Sequence, residues 1–375
     1  NEDEQGLFLK EKFTKYVFIL PRYFAVFFNF NPNGQKSTIL SDENIRKALS
    51  YSVNKDDIIN KISFSSKVDS PILPDFFGYN KPSVIYNFDI EKAKNLLDKA
   101  GFKLSKSNQR EKPIVKTPAF QFKKYLKVGS KNTDVNQLQS CLARLDDSFK
   151  NILTSEVNGT YGKATEDAVT EFQKKYLSNL EPTGETGAST RTKLNELCIN
   201  QSPNSQILKF TITTIDQPQL LQVAELIKDY WQSIGILVDI NTVSITDLKP
   251  IIKNRNYDIL LYGEALGSEP DLYPFWHSSQ KNDPGLNLSS YENKDVDKLL
   301  KEARETLDGD KKKEKLEKLQ DIIINNAPAL FLYNPDYIYF VSSKVNGVDT
   351  KKIIDPAERF VNITNWYLKT QRVWK

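Results

Sequence analysis

Methionine is absent from all 375 residues, histidine occurs once and cysteine twice. A chain without methionine, even at position 1, is what processing or excision of a fragment would leave. The single histidine, His277, has no cysteine near it in sequence. That leaves neither a histidine–cysteine metal spacing nor a nucleophile–base pair. No Gly-x-x-x-x-Gly-Lys stretch occurs, which removes a phosphate-cradling loop. Carboxylates number 48, too many for any one pair to stand out as an acid–base couple. Catalysis therefore finds no constellation to carry it, and no cofactor is called for. There is no run of eighteen apolar residues, the length a membrane-spanning helix needs. The most apolar stretch, residues 16–30, is broken by Pro21-Arg22 and reads as two strands, not as a signal peptide. With 52 Lys and Arg against 48 Asp and Glu, a net charge of +4 is too even to argue for nucleic acid. Residues 308–318 mix both signs and read as a solvated helix face.

What is present is the make-up of a globular chain, 39% hydrophobic and 27% charged, and long enough for about two or three domains. Its most informative feature is a repeat. Gly-x-x-Gly-x-x-Thr is written at Gly159, Gly162 and Thr165, and again at Gly184, Gly187 and Thr190. Each copy runs into an amphipathic stretch, with Ala168, Val169, Phe172 and Tyr176 after the first and Leu194 and Leu197 after the second. Glycine permits the tight positive-φ turns, and each threonine falls in a first helical turn where free N–H groups need partners. Repeated loop–helix units of this kind build small modules. Upstream, Val135, Leu138, Leu142 and Leu145 share one face at helical spacing.

The run from Gly129 through Asp134-Val135 to Leu138-Gln139, followed by residues 158–173 with Gly159, Gly162, Thr165, Ala168-Val169 and Phe172-Gln173, resembles the peptidoglycan-binding three-helix module of cell-wall proteins. The resemblance implies an all-α module in which most of the glycines and apolar residues specify packing. Tyr161 and Thr183, in the two glycine loops, are then the residues expected to meet a glycan. Cys141 lies on the first helix and Cys198 at the end of the last. Helices one and three of such a bundle are neighbours, so a disulfide is feasible and would place the protein outside the cytoplasm, two buried free thiols being the alternative.

On either side of the module the rhythm is α/β. Ser41-Asp42-Glu43 opens a helix carrying Ile45, Ala48, Leu49 and Val53 on one face, and residues 55–62 continue it or start another. Asp89 caps a helix with Ala93, Leu96, Leu97 and Ala100 on one face, ended by Gly101. Residues 105–124 and 200–205 read as the entry and exit linkers of an insertion. After it come a strand over 207–215, a helix over 218–234, a strand through Ile236, Val238 and Ile240, a helix over 246–255 and an apolar strand over 257–262. That order argues for parallel strands with covering helices. Helices over 295–306 and 311–326 and strands around Phe331 and over 337–341 follow.

Phe27-Phe28-Asn29-Phe30, residues 44–55, Glu91 to Gly101, residues 224–236, Tyr257-Asp258, Phe275-Trp276-His277-Ser278, residues 293–300, Arg359-Phe360 and Trp366-Tyr367 resemble the family 5 extracytoplasmic solute-binding proteins of peptide and nickel ABC importers. The resemblance implies an α/β fold, a periplasmic-binding-protein-type second lobe with a mixed sheet and covering helices, interrupted by the all-α module. The domains expected are 1–120 and 204–343 for the two parts of the lobe and 121–203 for the module. Residues 344–375 would return toward a first lobe that has no counterpart before Asn1. Such proteins close on ligand between two lobes, and ligands sit beyond the carboxyl ends of strands. Here that is the exit of the strand over 257–262, where relatives hold a peptide's α-amino group with a carboxylate. This sequence instead reads Glu264-Ala265-Leu266-Gly267, with Glu269 downstream. Glu264, Ala265, Leu266, Trp276, Asn287 and Tyr291 are the ligand-binding candidates, although Phe275 and Trp276 also suit a core and Glu264 an exposed surface. The reading is a non-enzymatic extracytoplasmic component, in the periplasm or at the cell surface, that captures a peptide or other small solute for an ABC permease. Its insert would contact peptidoglycan, and its only membrane link would be an N-terminal anchor missing from this chain. A scaffold or sensor attached to the wall is the alternative, and an enzyme acting on wall peptides a third.

Overall fold

The computed structural model describes residues 12–31, 36–62, 64–74, 76–113, 121–153, 159–198, 205–267, 271–349 and 353–368. The chain divides into two compact units, one formed by Asn1–Lys112 with Ile207–Lys375 and the other by Pro113–Gln206.

The first unit is built on a seven-stranded mixed sheet of order β1-β10-β2-β9-β7-β8, with β3 also on β10. Its strands are β1 (Phe13–Ile19), β2 (Arg22–Phe28), β3 (Ser65–Lys67), β7 (Lys209–Ile215), β8 (Leu237–Val243), β9 (Ile259–Ala265) and β10 (Ala329–Ser342). The break at Pro21-Arg22 separates β1 from β2 as the sequence suggested. β2 is a nearly continuous apolar run because both its faces are covered, whereas β1 is an edge strand whose Val17 and Ile19 stay exposed. Parallel pairing is confined to β7 with β8 and with β9, and the remaining pairs are antiparallel. The two strands expected around Phe331 and over 337–341 are one. β10 pairs with β2 through Tyr333, with β3 from Tyr333 to Pro335, and with β1 from Asp336 onward. Pro335 therefore sits where the strand changes partner, a place where a missing N–H does little harm.

Helices cover this sheet, and their starts follow the capping rules. Asp42 accepts from the Asn44 N–H at the head of Glu43–Tyr51, and Asp89 from the Lys92 N–H at the head of Ile90–Lys99. Lys55–Ile62 is a separate helix. Pro218 occupies the first turn of Pro218–Ser233, whose Trp231 is fully buried and donates its indole N–H to the Leu49 carbonyl at 3.0 Å. Burying an aromatic of this size with its polar handle satisfied fixes that helix against Glu43–Tyr51. The first stretch read as a linker is in part ordered, since β4 (Lys103–Leu104) and β5 (Arg110–Pro113) form a hairpin that β6 (Ser205–Ile207) extends. The outgoing and returning chains thus run side by side, with the Leu208 N–H donating to the Arg110 carbonyl at 2.8 Å. Residues 114–120 and 200–204 of the expected linkers lie outside the described residues.

The second unit has its own apolar core, which includes Phe122, Leu126, Val135, Leu138, Phe149, Phe172 and Leu194. Among its described residues there are four helices, Thr133–Leu145, Asp147–Ile152, Lys163–Tyr176 and Ala188–Leu197. That is one more than the three-helix expectation. The additional short helix starts because Asp146 ends its predecessor and then accepts from the Ser148 N–H at 2.8 Å. Cys141 and Cys198 form a disulfide across the unit, with 5.7 Å between their Cα atoms.

Candidate functional site

In the first unit, antiparallel pairing of β2 and β9 sets Tyr23 opposite Glu264. The Tyr23 hydroxyl donates to Glu264 Oε2 at 2.5 Å, and both side chains are buried. Phe331 packs edge-on against Tyr23 at 5.3 Å, and Trp276, 1% exposed, lies 5.9 Å from Phe331. Glu264 Oε1 has no hydrogen-bond partner. Burial in this aromatic setting raises the Glu264 carboxyl to about 8, and the Tyr23 bond offsets only part of that rise. Burial, reinforced by the neighbouring carboxyl, also holds Tyr23 protonated. At neutral pH Glu264 is therefore mostly a neutral acid inside the fold. This corrects both sequence readings of the residue, the exposed surface glutamate and the free carboxylate for an amine.

The other candidates separate by role. Ala265 and Gly267 are exposed at the end of β9, while Leu266 is 7% exposed and donates its N–H to the Pro21 carbonyl at 2.7 Å. Glu269 lies outside the described residues. Trp276 is core. Asn287 is buried with its amide fully committed: Nδ2 donates to the His277 and Tyr291 carbonyls, and Oδ1 accepts from the Tyr291 N–H. Asn287 thus closes a loop, and it is withdrawn as a direct ligand contact because no polar atom of its amide is left over. His277 caps the turn Ser278–Gln280, its Nδ1 accepting from the Ser279 N–H at 3.0 Å.

Tyr291 belongs to a different place. It lines a cavity of about 740 Å³ with Phe30, Glu43, Arg46, Lys281 and Glu292. Phe30 lies just beyond the Phe28 end of β2, whereas Glu264 faces the Arg22 end, so cavity and carboxyl lie at opposite ends of that strand. Of the cavity's charges, Lys281 pairs with Glu292 across the lining, while Glu43 pairs with Lys47 outside it. Arg46, which sequence reasoning passed over, donates to the carbonyls of Leu40, Ser41, Asn326 and Ala327. Its guanidinium lies 4.7 Å from the Phe30 ring centroid. It satisfies the last carbonyls of the helix Gly309–Asn326, a structural task that only a five-donor fork performs at once.

In the second unit the repeat has a common design. Gln139 Oε1 accepts from the Gly159 N–H at 3.1 Å, and its Nε2 donates to Thr165 Oγ1 at 2.9 Å. Gln173 does the same one repeat later, with the Gly184 N–H at 2.9 Å and Thr190 Oγ1 at 2.9 Å. A buried amide thus ties the first glycine of each copy to its threonine. Both glycines hold positive φ, and a Cβ on either would come within 2.7 Å of a side-chain atom, of Asn136 or of Glu166. Tyr161 is 1% exposed and donates its hydroxyl to the Gly184 carbonyl at 2.7 Å, joining the two loops. It cannot stack on a sugar, and its expected contact role is withdrawn. Thr183 is exposed, its hydroxyl accepting from Gln173 Nε2 and the Glu185 N–H, each at 3.3 Å. Asn158 of the motif lies outside the described residues.

Residues 2–143 match the family described as "Bacterial extracellular solute-binding proteins, family 5 Middle", and residues 131–194 match the "Putative peptidoglycan binding domain". Among curated proteins the chain is similar to the oligopeptide-binding protein AppA of Bacillus subtilis, 28% identical over 148 residues, which are 39% of this chain and 26% of that one. It is also similar to a dipeptide-binding protein of Escherichia coli, 44% identical over 64 residues, 16% of this chain and 12% of the relative. Among solved structures, Bacillus subtilis AppA in complex with a nonapeptide aligns with a TM-score of 0.61 and 17% identity, covering 98% of this chain and 55% of that one. Campylobacter jejuni NikZ in complex with Ni(L-His) aligns with a TM-score of 0.61 and 19% identity, covering 97% and 55%. The chain thus spans about half the length of these structures. Residues 2–143 thus match the family 5 bacterial extracellular solute-binding proteins, nearly the whole chain shares the fold of these solved structures, and residues 131–194 within it match a peptidoglycan-binding domain.

Proposed function

We propose that this chain is part of an extracytoplasmic solute-binding component of an ABC importer that takes a peptide or other small solute, and that residues 121–203 attach it to peptidoglycan. The observation that carries the reading is a family 5 match and a family 5 fold on a chain that also holds a wall-binding-type unit. Relatives described as binding oligopeptides and dipeptides support the peptide class. The solute would lie over the exposed Ala265 and Gly267 at the end of β9. Glu264 and Trp276 would shape that floor from beneath, with no charge offered to a solute's amine. Thr183 is the residue of the glycine loops left free to face a glycan.

Native mass spectrometry of the protein purified from its own cells tests the solute part. Release of peptides or of one defined small solute on collisional activation is the expected result. A protein that carries nothing and gains no mass from a peptide library fits the wall-attached scaffold instead. Sedimentation with purified cell wall tests the attachment separately.

A further inference from the structure

The second unit distributes its charge unevenly. Residues 112–133 hold six lysines and no carboxylate, whereas residues 134–198 hold ten carboxylates against seven Lys and Arg. The described end of the basic stretch, residues 121–131, is a strap fixed to the unit. Phe122 and Leu126, 4% and 2% exposed, anchor it in the core. The Phe122 N–H donates to Asn195 Oδ1 at 2.7 Å. The Leu126 N–H donates to Thr186 Oγ1 at 2.7 Å, and the Leu126 carbonyl accepts from the Thr186 N–H at 2.9 Å. Further on, the Gly129 N–H donates to the Tyr161 carbonyl and the Ser130 carbonyl accepts from the Tyr161 N–H, each at 2.9 Å. The strap is thereby pinned to the loops of both glycine repeats.

Pinning leaves one set of side chains outside. Lys123, Lys127 and Lys131, four residues apart, are exposed and take part in no salt bridge among the described residues. Lys124 alone is neutralised, by Asp134 at 3.2 Å. Tyr125 and Val128 stand among them, 52% and 53% exposed. Repeated ammonium groups on a fixed backbone suit a repeated anion, because little order is lost when it binds. The exposed ring and methyl groups between them suit the carbon skeleton linking such anions. Two isolated apolar side chains with no amphipathic helix are a poor fit to a membrane surface.

We propose that the strap 121–131 is a docking surface for a linear wall polymer whose charge is carried on phosphodiester groups. This rests on the wall-attachment reading of the same unit and names a second partner beside peptidoglycan itself.

The test is co-sedimentation of the full chain with purified Gram-positive cell walls, before and after hydrofluoric acid has removed their phosphodiester polymers. Expected are retention on intact walls, loss of most of it on stripped walls, and competition by soluble polyol-phosphate polymer. Exposed charge pairs are weak singly, so changing Lys123, Lys127 and Lys131 together to Gln should lower the affinity roughly tenfold. A control with Lys150, Lys174 and Lys193 changed to Gln removes the same charge elsewhere on the unit and should retain binding. Raised salt should weaken the wild type more than the strap variant. Thermal melting should match among all three proteins, since every altered side chain ends in solvent. Equal binding to stripped and intact walls overturns the proposal while leaving wall attachment standing. Equal loss in the two triple variants, or binding to phosphatidylglycerol vesicles in preference to walls, also overturns it. Absence of binding to any wall preparation removes the wall-attachment reading as well.

Discussion

Replacing Gln173 by leucine keeps the side chain close to its original size and removes every bond of the amide that organises the second glycine loop. Lost are the Gly184 N–H to Oε1 bond at 2.9 Å and the Nε2 bonds to Glu185 O, Thr190 Oγ1 and Thr183 Oγ1 at 2.8, 2.9 and 3.3 Å. Gly184 and Thr190 are buried, so their N–H and hydroxyl are left without water to replace the amide. Each orphaned buried group costs about 1–3 kcal/mol, while leucine recovers some apolar burial. A net loss of about 3 kcal/mol is expected. In a unit of this size that lowers its melting temperature by roughly 12–20 °C. The assay exploits where tryptophan sits. All four, Trp231, Trp276, Trp366 and Trp374, lie outside Pro113–Gln206, so their emission follows the first unit alone. Far-UV circular dichroism follows the helices of both. Gln173→Leu should shift the part of the dichroism transition that tryptophan emission does not track, and should leave the emission transition in place. Gln139→Leu should behave alike, because it removes the same pair of bonds one repeat earlier. A shift below about 1 kcal/mol would refute the view that a buried amide organises each copy. An emission transition displaced as far as the helical one would refute the independence of the two units.

Other outcomes follow from the same geometry. Denatured, unreduced protein should contain no titratable thiol, and reduction should destabilise the second unit by about 4 kcal/mol, the chain-entropy value for a bridge between residues 57 apart. Glu264 binds its proton more tightly folded than unfolded, so its contribution to stability is complete below the ordinary carboxyl range and is lost as pH rises toward about 8. Glu264→Gln should therefore flatten the decline in first-unit stability over that window, read by tryptophan emission, and an unchanged slope would sink the assignment. Arg46→Met strips the donors from four carbonyls and should lower first-unit stability by about 3 kcal/mol, whereas a surface Lys47→Met should change it by less than about 1 kcal/mol.

Element identity was largely legible because it depends on local chemistry. Asp89 caps the helix it was expected to cap, Asp42 within the expected opening Ser41-Asp42-Glu43 caps another, and Pro218 opens a third. The apolar runs became strands for the same reason. Partnership was less legible. β10 was read as two strands, around Phe331 and over 337–341, whereas Asn334-Pro335 lies within one strand at the point where it changes partner. The parallel order read over 207–262 holds for β7 with β8 and with β9, and the sheet is mixed as expected, but the antiparallel pairing of β9 with β2 was not read from the sequence. Nothing in the β9 residues records that β2 arrives from more than 200 positions upstream.

The candidate site residues that were misplaced share one physical cause. Tyr161 between two glycines has the local look of an exposed loop residue, and Glu264 at a strand end has the look of a solvent-facing carboxylate. Each is buried by a partner far along the chain, Gly184 for Tyr161 and Tyr23 for Glu264. Periodicity reports which residues share a face, but it does not report whether another element covers that face. A polar residue in a loop is therefore ambiguous until its hydrogen-bond partner is known. The repeat did hold one usable clue. A glutamine lies in the helix ahead of the first glycine of each copy, Gln139 by 20 residues and Gln173 by 11. The longer first interval holds the additional helix Asp147–Ile152, which has no counterpart between Gln173 and Gly184. Loops closed from within by a buried amide have few polar groups left for a ligand, which directs attention from the glycines to the strap that crosses them.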